Sequence, residues 1–422
     1  MKKYFIIAVA ALAASAACSK VETVDTTPDK KIAFEVANYA AQTKADTLSL
    51  TNAEDGIYQF HTFAYQFPTI GSPREFMNDD IFAWQDAAQT NKLTSGSSPV
   101  KVWATEMDYY WPKTGYINFY SYAGTHTPAE TVNDSVDWKT VTFTYTDAVI
   151  DSTSNILVAD AALHQGRANS ADNAFDVDND GSGADITAGV PTLFHHQLAK
   201  IIFDVEARTT EAKKSANTVW NVQVLGTHTY NDGTGDVTIK SNLFPINKGT
   251  LALSNTDDAS AASTKGWTRT NESTTNISGW VPTTEKETIQ FYTSDTLTIA
   301  VNTTGNGVRD TVLAARSVMP QLTSGVKFTL VYMVQALHGN TVYLEEIRTV
   351  GIDTDEVLSN LANTVTSWGA NKKITYHIII DPVSEKVTFD PAVENYDEID
   401  ADGTQDIINI NENGIVPAPV NP

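Results

Sequence analysis

The chain has 422 residues, and 51 Asp and Glu against 28 Lys and Arg leave a formal net charge of −23. A field of that sign repels phosphate backbones and anionic head groups, which excludes nucleic acid as a partner. With 41% hydrophobic residues the chain can build a sizeable core, and its length favours two domains over one.

Met1-Lys2-Lys3 is a short basic start, and Tyr4 to Ala17 is an apolar run too short to cross a bilayer as a stable helix. Residues 1–17 therefore read as a signal peptide. It ends in Ser15-Ala16-Ala17-Cys18, which resembles the lipobox of bacterial lipoproteins. That resemblance implies cleavage before Cys18, acylation of its thiol and amino group, and anchoring in the outer membrane, since two or more acyl chains hold a protein stably. Cys18 is the single cysteine, so an exported chain has no internal disulfide partner for it. The plainer alternative is an ordinary signal peptide with an incidental cysteine. Residues 18–30 are polar and suit a lipidated tether. Beyond Cys18 no apolar stretch approaches the roughly 20 residues of a membrane span.

From Ile32 onward the chain alternates. Ile32-Ala33-Phe34-Glu35-Val36, Val141-Thr142-Phe143-Thr144-Tyr145 and Ile374 to Ile380 place apolar or aromatic residues every second position, the period of a strand with one buried face. Val222 to Leu225 and Val237-Thr238-Ile239 flank Asn231-Asp232-Gly233-Thr234-Gly235, which predicts a hairpin with a glycine-rich turn. Lys327 to Val334 is another β-branched and aromatic run. Thr354 to Leu361 is the best helical candidate, and it is short. Many short strands with frequent turns predict an all-β chain of β-sandwiches. The expected division is an N-terminal sandwich over 31–190, a C-terminal sandwich over 191–396, and an acidic tail over 397–422.

Two stretches read as loops, 167–189 and 254–286. The first contains Asp176, Asp178, Asp180, Gly181 and Asp185, the opening spacing of a calcium loop built on hard oxygen ligands. Its closing position is Thr187 and no helix flanks it, so a calcium-binding loop and a solvated acidic loop both remain open. His195-His196 suggests a metal pair, yet neighbours on a strand point to opposite faces, which favours a structural role. Lys113-Thr114-Gly115 reads as part of a Pro-x-x-Gly turn. No nucleophile elbow, zinc helix or phosphate loop is present, and no enzyme is expected. Eight tryptophans and Tyr109-Tyr110-Trp111 suit either sugar stacking or core packing.

Several segments together resemble the fimbrillin family of pilin-type lipoproteins. They are Ile32-Ala33-Phe34, Phe76-Met77-Asn78, Tyr110-Trp111-Pro112 with the aromatic strand through Ala123, Ile156 to Ala159, Phe194 to Lys200, and Trp368 to Tyr376. They occur in the family's order over nearly the whole chain. The resemblance implies two transthyretin-like β-sandwich domains in tandem and assembly of a surface fimbria by strand exchange. Its partners would be other fimbrial subunits, the outer membrane, and a host glycan or protein receptor. A family protease removes the first strand by cutting after an arginine; the matching position here is Lys44-Ala45, a departure from that pattern. The donor strand would come from the tail, which carries Ile407, Ile408, Ile410 and Ile415; Ile408 and Ile410 alternate with asparagine and would present one apolar face. A solvated acidic tail is the rival reading. A monomeric surface lipoprotein that binds glycans or host proteins is the alternative function.

Overall fold

The computed structural model describes residues 32, 34–38, 59–85, 102–105, 107–132, 138–166, 190–209, 218–257, 266–273, 276, 278–283, 288–292, 296–302, 311–353, 365, 367–383, 386–395 and 418–419. Among them there is no helix; the chain is all-β, as its alternation predicts.

The first strands in chain order are β1 (Phe34–Asn38), β2 (Gln59–Phe67), β3 (Arg74–Gln85), β4 (Val102–Ala104), β5 (Tyr116–Gly124), β6 (Ala129–Val132), β7 (Thr140–Val149), β8 (Ile156–Ala159), β9 (Ala162–Gln165) and β10 (Val190–His196). They are followed by β11 (Ala199–Arg208), β12 (Thr218–Leu225), β13 (Thr227–Asn231), β14 (Asp236–Lys240), β15 (Asn242–Leu243), β16 (Lys248–Thr256), β17 (Thr268–Arg269), β18 (Trp280–Pro282) and β19 (Ile289–Gln290). The last are β20 (Thr296–Asn302), β21 (Thr311–Val318), β22 (Gln321–Leu322), β23 (Lys327–His338), β24 (Thr341–Asp353), β25 (Ser367–Trp368), β26 (Lys372–Asp381), β27 (Lys386–Asn395) and β28 (Ala418–Pro419).

An eight-stranded sheet runs β1-β10-β8-β5-β2-β3-β4, with β9 on β5. It curls: Phe34 at one end packs on Phe82 of β3 near the other, with ring centroids 4.4 Å apart. The inside of this curl holds Phe60, Phe82, Trp103, Trp111, Phe119 and Phe194. The outside is covered by a five-stranded sheet, β17-β16-β7-β6 with β18 on β16. Val141, Phe143 and Tyr145 of β7 alternate inward, as do Leu251 and Leu253 of β16, and they meet Phe63, Tyr65, Tyr120 and Tyr122 of the first sheet. The stretch 254–286, read from its composition as a loop, thus contains β17, β18 and the end of β16. These segments carry almost no apolar residues, which hides them from alternation; Trp280 of β18 is the one that is fully buried.

A third core is wrapped by eleven strands in two layers, joined at one corner where Ala207 and Arg208 of β11 pair in parallel with Val301 and Asn302 of β20. It holds Phe203, Val222, Val224, Phe328, Tyr332, Ile374 and Tyr376. The predicted hairpin at 231–235 is present, but its arms are β13 and β14, with Asn231 opposite Asp236. Val222 to Leu225 belongs instead to β12, whose alternation is spent on this core. The candidate helix at 354–361 lies outside the described residues.

Candidate functional site

β1 sits at an edge of the first sheet. Its pairing is parallel, with Phe34 opposite Val190 through Asn38 opposite Phe194 of β10. The strand begins near Phe34 rather than at Ile32. Ile32 enters just ahead of it, buried, with its N–H donating to the Tyr109 carbonyl oxygen at 2.9 Å. The Phe34 ring stands edge-on to Phe60 at 5.3 Å and to Phe119 at 5.6 Å. Beneath it Phe60 stacks on Phe82 at 5.3 Å and meets Trp103 at 5.1 Å and Phe194 at 5.8 Å. A five-residue parallel edge strand is held by slanted hydrogen bonds and two apolar anchors, each worth about 1.5–3 kcal/mol. Without β1, one edge of β10 would present unpaired backbone groups beside an aromatic slot, a template for another extended segment.

The other sequence-predicted positions are distributed as follows. Cys18, Lys44, Ala45, the loop aspartates Asp176, Asp178, Asp180 and Asp185, and the tail residues Ile407, Ile408, Ile410 and Ile415 lie outside the described residues. Among the described residues, no group of three His, Cys, Asp or Glu side chains fits a metal ion. Of the tail, Ala418 and Pro419 form β28, paired with Thr349 and Arg348 of β24. Arg74, the first arginine of the chain, opens β3 and donates from Nε and Nη2 to Gln66 Oε1 at 2.8 and 2.6 Å. A cut there would detach β2, which lies between β3 and β5.

The histidine pair divides as strand geometry requires. His196 is buried, with Nδ1 3.1 Å from Asn155 Oδ1, whereas His195 Nε2 lies 3.3 Å from Asp160 Oδ1. Burial, then the Lys200 and His195 charges, push the His196 pKa well below the ordinary histidine value. At the Lys113-Thr114-Gly115 turn, Gly115 has φ +78°, and a Cβ there would sit 2.2 Å from the Phe67 carbonyl oxygen. Only glycine fits this turn. Trp103, Trp111, Trp280 and Trp368 are buried in cores, and Tyr109 donates its hydroxyl to Asp80 Oδ2 at 2.8 Å. Tyr110 is the exposed member of that cluster.

Three polar constellations escaped the sequence reading. Asp79 sits at a bulge of β3 with φ 57° and accepts from Tyr122 Oη at 2.8 Å and His61 Nδ1 at 3.1 Å. Asp257, just past β16, takes His164 Nε2 and Asn118 Nδ2 on Oδ2, each at 2.9 Å. His377 lies between Asp204 and Glu206. Residues 118 and 257 are 139 positions apart, and no local pattern announces such a meeting.

The sequence matches no family model and no curated protein. Among solved structures, a fimbrial protein of Bacteroides vulgatus aligns at 13% identity over 87% of this chain and 100% of its own, with a TM-score of 0.49. A candidate cell adhesion protein of Bacteroides uniformis aligns at 13% identity over 87% and 98%, with a TM-score of 0.39. A candidate polysaccharide-binding protein of Bacteroides thetaiotaomicron aligns at 8% identity over 89% and 99%, with a TM-score of 0.26. The solved structures that resemble this chain thus include a Bacteroides fimbrial protein and candidate cell adhesion proteins, all at low identity.

Proposed function

We propose that the protein is a structural subunit of a surface fimbria, exported as a lipoprotein, tethered to the outer membrane through acylated Cys18, and joined to like subunits by exchange of β-strands. Its work is cell adhesion through assembly, without catalysis. The observation that carries this reading is β1, an edge strand whose Phe34 plugs an aromatic slot and whose partner is β10. Lys44 falls between Asn38, the end of β1, and Gln59, the start of β2, so a cut after it would sever β1 from the rest of the chain. The slot would then accept a strand from the next subunit, and growth is head to tail, a heterologous contact that does not close. The tail, with Ile408 and Ile410 alternating, is the donor in this reading.

A reversible lock tests it. Val36 and Thr192 are register partners in the β1–β10 pair, so V36C/T192C offers a disulfide across them. The oxidised variant is expected to stay monomeric in unheated gels and the reduced one to give ladders. Ladders from the oxidised protein overturn the reading. Deleting residues 397–422 separates the two halves of the exchange: lost ladders assign the donor to the tail, and surviving ladders move it elsewhere.

A further inference from the structure

The outward face of the C-terminal core carries a cluster that strand exchange leaves unused. β11 and β26 run parallel, and their register sets Asp204 opposite His377. Phe203 and Val205 of β11, with Tyr376 and Ile378 of β26, point into the core. Alternation therefore puts Asp204, Glu206 and His377 together on the other face. His377 is 4% exposed and Glu206 is 6% exposed. His377 Nδ1 lies 2.6 Å from Asp204 Oδ1, and its Nε2 lies 3.2 Å from Glu206 Oε2.

These two distances bear on a proton count. An ionised carboxylate only accepts hydrogen bonds, and a neutral imidazole has one N–H and one lone pair. A neutral ring would turn its lone pair on a carboxylate at one of the two contacts; a doubly protonated ring satisfies both. The acids sit off opposite ring nitrogens, so they cannot converge with the ring on a single metal ion. From β27, the position facing His377 is Asp390, so the facing register positions on both neighbouring strands are acidic. Glu206 Oε1 is buried with no hydrogen-bond partner, a desolvation cost that a neighbouring cation offsets.

We propose that His377 is a buried imidazolium latch, clamping the β26–β27 hairpin onto β11, and that the latch opens when alkali removes its proton. β27 pairs with β26 alone among the described strands, so the hairpin reaches the rest of the sheet through this contact line. Burial opposes the charge on His377, but hydrogen bonds to Asp204 and Glu206 and their charges outweigh it, which raises its pKa. A raised value fixes the sign: the contribution is complete below about pH 6.5 and is lost as pH rises through the folded value.

Ring 15N shifts of His377 and amide exchange across 372–395 test this in the full chain between pH 5 and 10. Both ring nitrogens are expected to be protonated at pH 7. Exchange in the hairpin, corrected for intrinsic rate, should rise through the same midpoint at which the ring titrates. E206Q keeps the shape and removes a charge, so it should lower that midpoint by about one pH unit, a tenfold loss of proton affinity. H377Q should abolish the pH-dependent step, and E206Q carries the test alone should H377Q not fold. A neutral ring at pH 7, a midpoint unmoved by E206Q, or hairpin exchange indifferent to the titration overturns the proposal.

Discussion

At Asp257 a carboxylate is buried completely between two sheets, yet it is held in its charged form. Burial pushes its pKa up, but hydrogen bonds from His164 and Asn118 and the charges of His164 and Lys139 outweigh burial and bring it below the ordinary aspartate value. A depressed value means its stabilisation is present above about pH 3.9 and is lost as pH falls through the folded value. D257N, which keeps the shape, is therefore expected to cost about 1–3 kcal/mol at pH 7. The gap from the parent should begin to close as pH falls below about 4, the ordinary aspartate value, and vanish once pH has fallen through the lower folded value and Asp257 itself is neutral. Thermal melts of both proteins from pH 7 to pH 2 check this; a gap that stays constant means the charge contributes nothing. The Gly115 turn was readable because Pro-x-x-Gly is a local pattern whose steric demand is local too. The Asp257 contact is set by where β16 lands, which four adjacent residues cannot encode.

The strands themselves were legible wherever one face is buried, because period-two alternation records that face directly. β7, β23 and β26 are each found where their alternation placed them. The register of β1 was not legible: its pairing with β10 is parallel and joins residues more than 150 positions apart, so no turn fixes it. That geometry makes β1 separable in principle, and F34A measures by how much. Truncating a well-packed phenylalanine costs about 3–5 kcal/mol where the cavity cannot collapse. At an edge strand the loss should appear as local opening rather than global unfolding. Amide exchange over Phe34 to Asn38 is expected to accelerate by about a hundredfold or more, while the urea midpoint of the molecule shifts little. A full-sized drop in that midpoint without faster local exchange would instead place β1 inside the cooperative core, where it could not be exchanged.

At the scale of the molecule, the strand order ties early and late sequence together. β7 pairs with β16 from Lys248 opposite Val149 to Thr256 opposite Thr140, so the sheet covering the early strands is completed by residues that come after β10. Trp267 stacks on Phe143 at 4.7 Å and donates Nε1–H to the Ala159 carbonyl at 2.8 Å. Trp280 Nε1–H reaches the Gln197 carbonyl at 3.3 Å, and Leu198, Leu251, Leu253, Trp280 and Met319 fill the same core as Phe63, Tyr120 and Tyr122. A fragment ending at residue 196 keeps the whole eight-stranded sheet, with β6 and β7 over its outer face, but loses β16, β17 and β18, which complete that cover. Burial of large apolar side chains supplies most of folding, at about 25 cal/mol per Å², so the part of this core that Leu251, Leu253 and Trp280 close cannot remain open in a cooperative fold. The fragment 31–196 is therefore expected to collapse without a sharp melt and to bind a hydrophobic dye, with near-ultraviolet dichroism lost. Restoring 197–395 in one chain, which returns β16 to β18 and Met319 together with the partners of β11 and β12, should return the sharp transition. If the short fragment instead melts cooperatively and ignores the dye, the early strands are self-sufficient and the returning strands only decorate them. The order of synthesis makes the point concrete: β1 to β10 emerge first, yet their outer core waits for β16 to β18, so the slot beneath β1 belongs to a sheet whose outer cover is complete only once β18 exists.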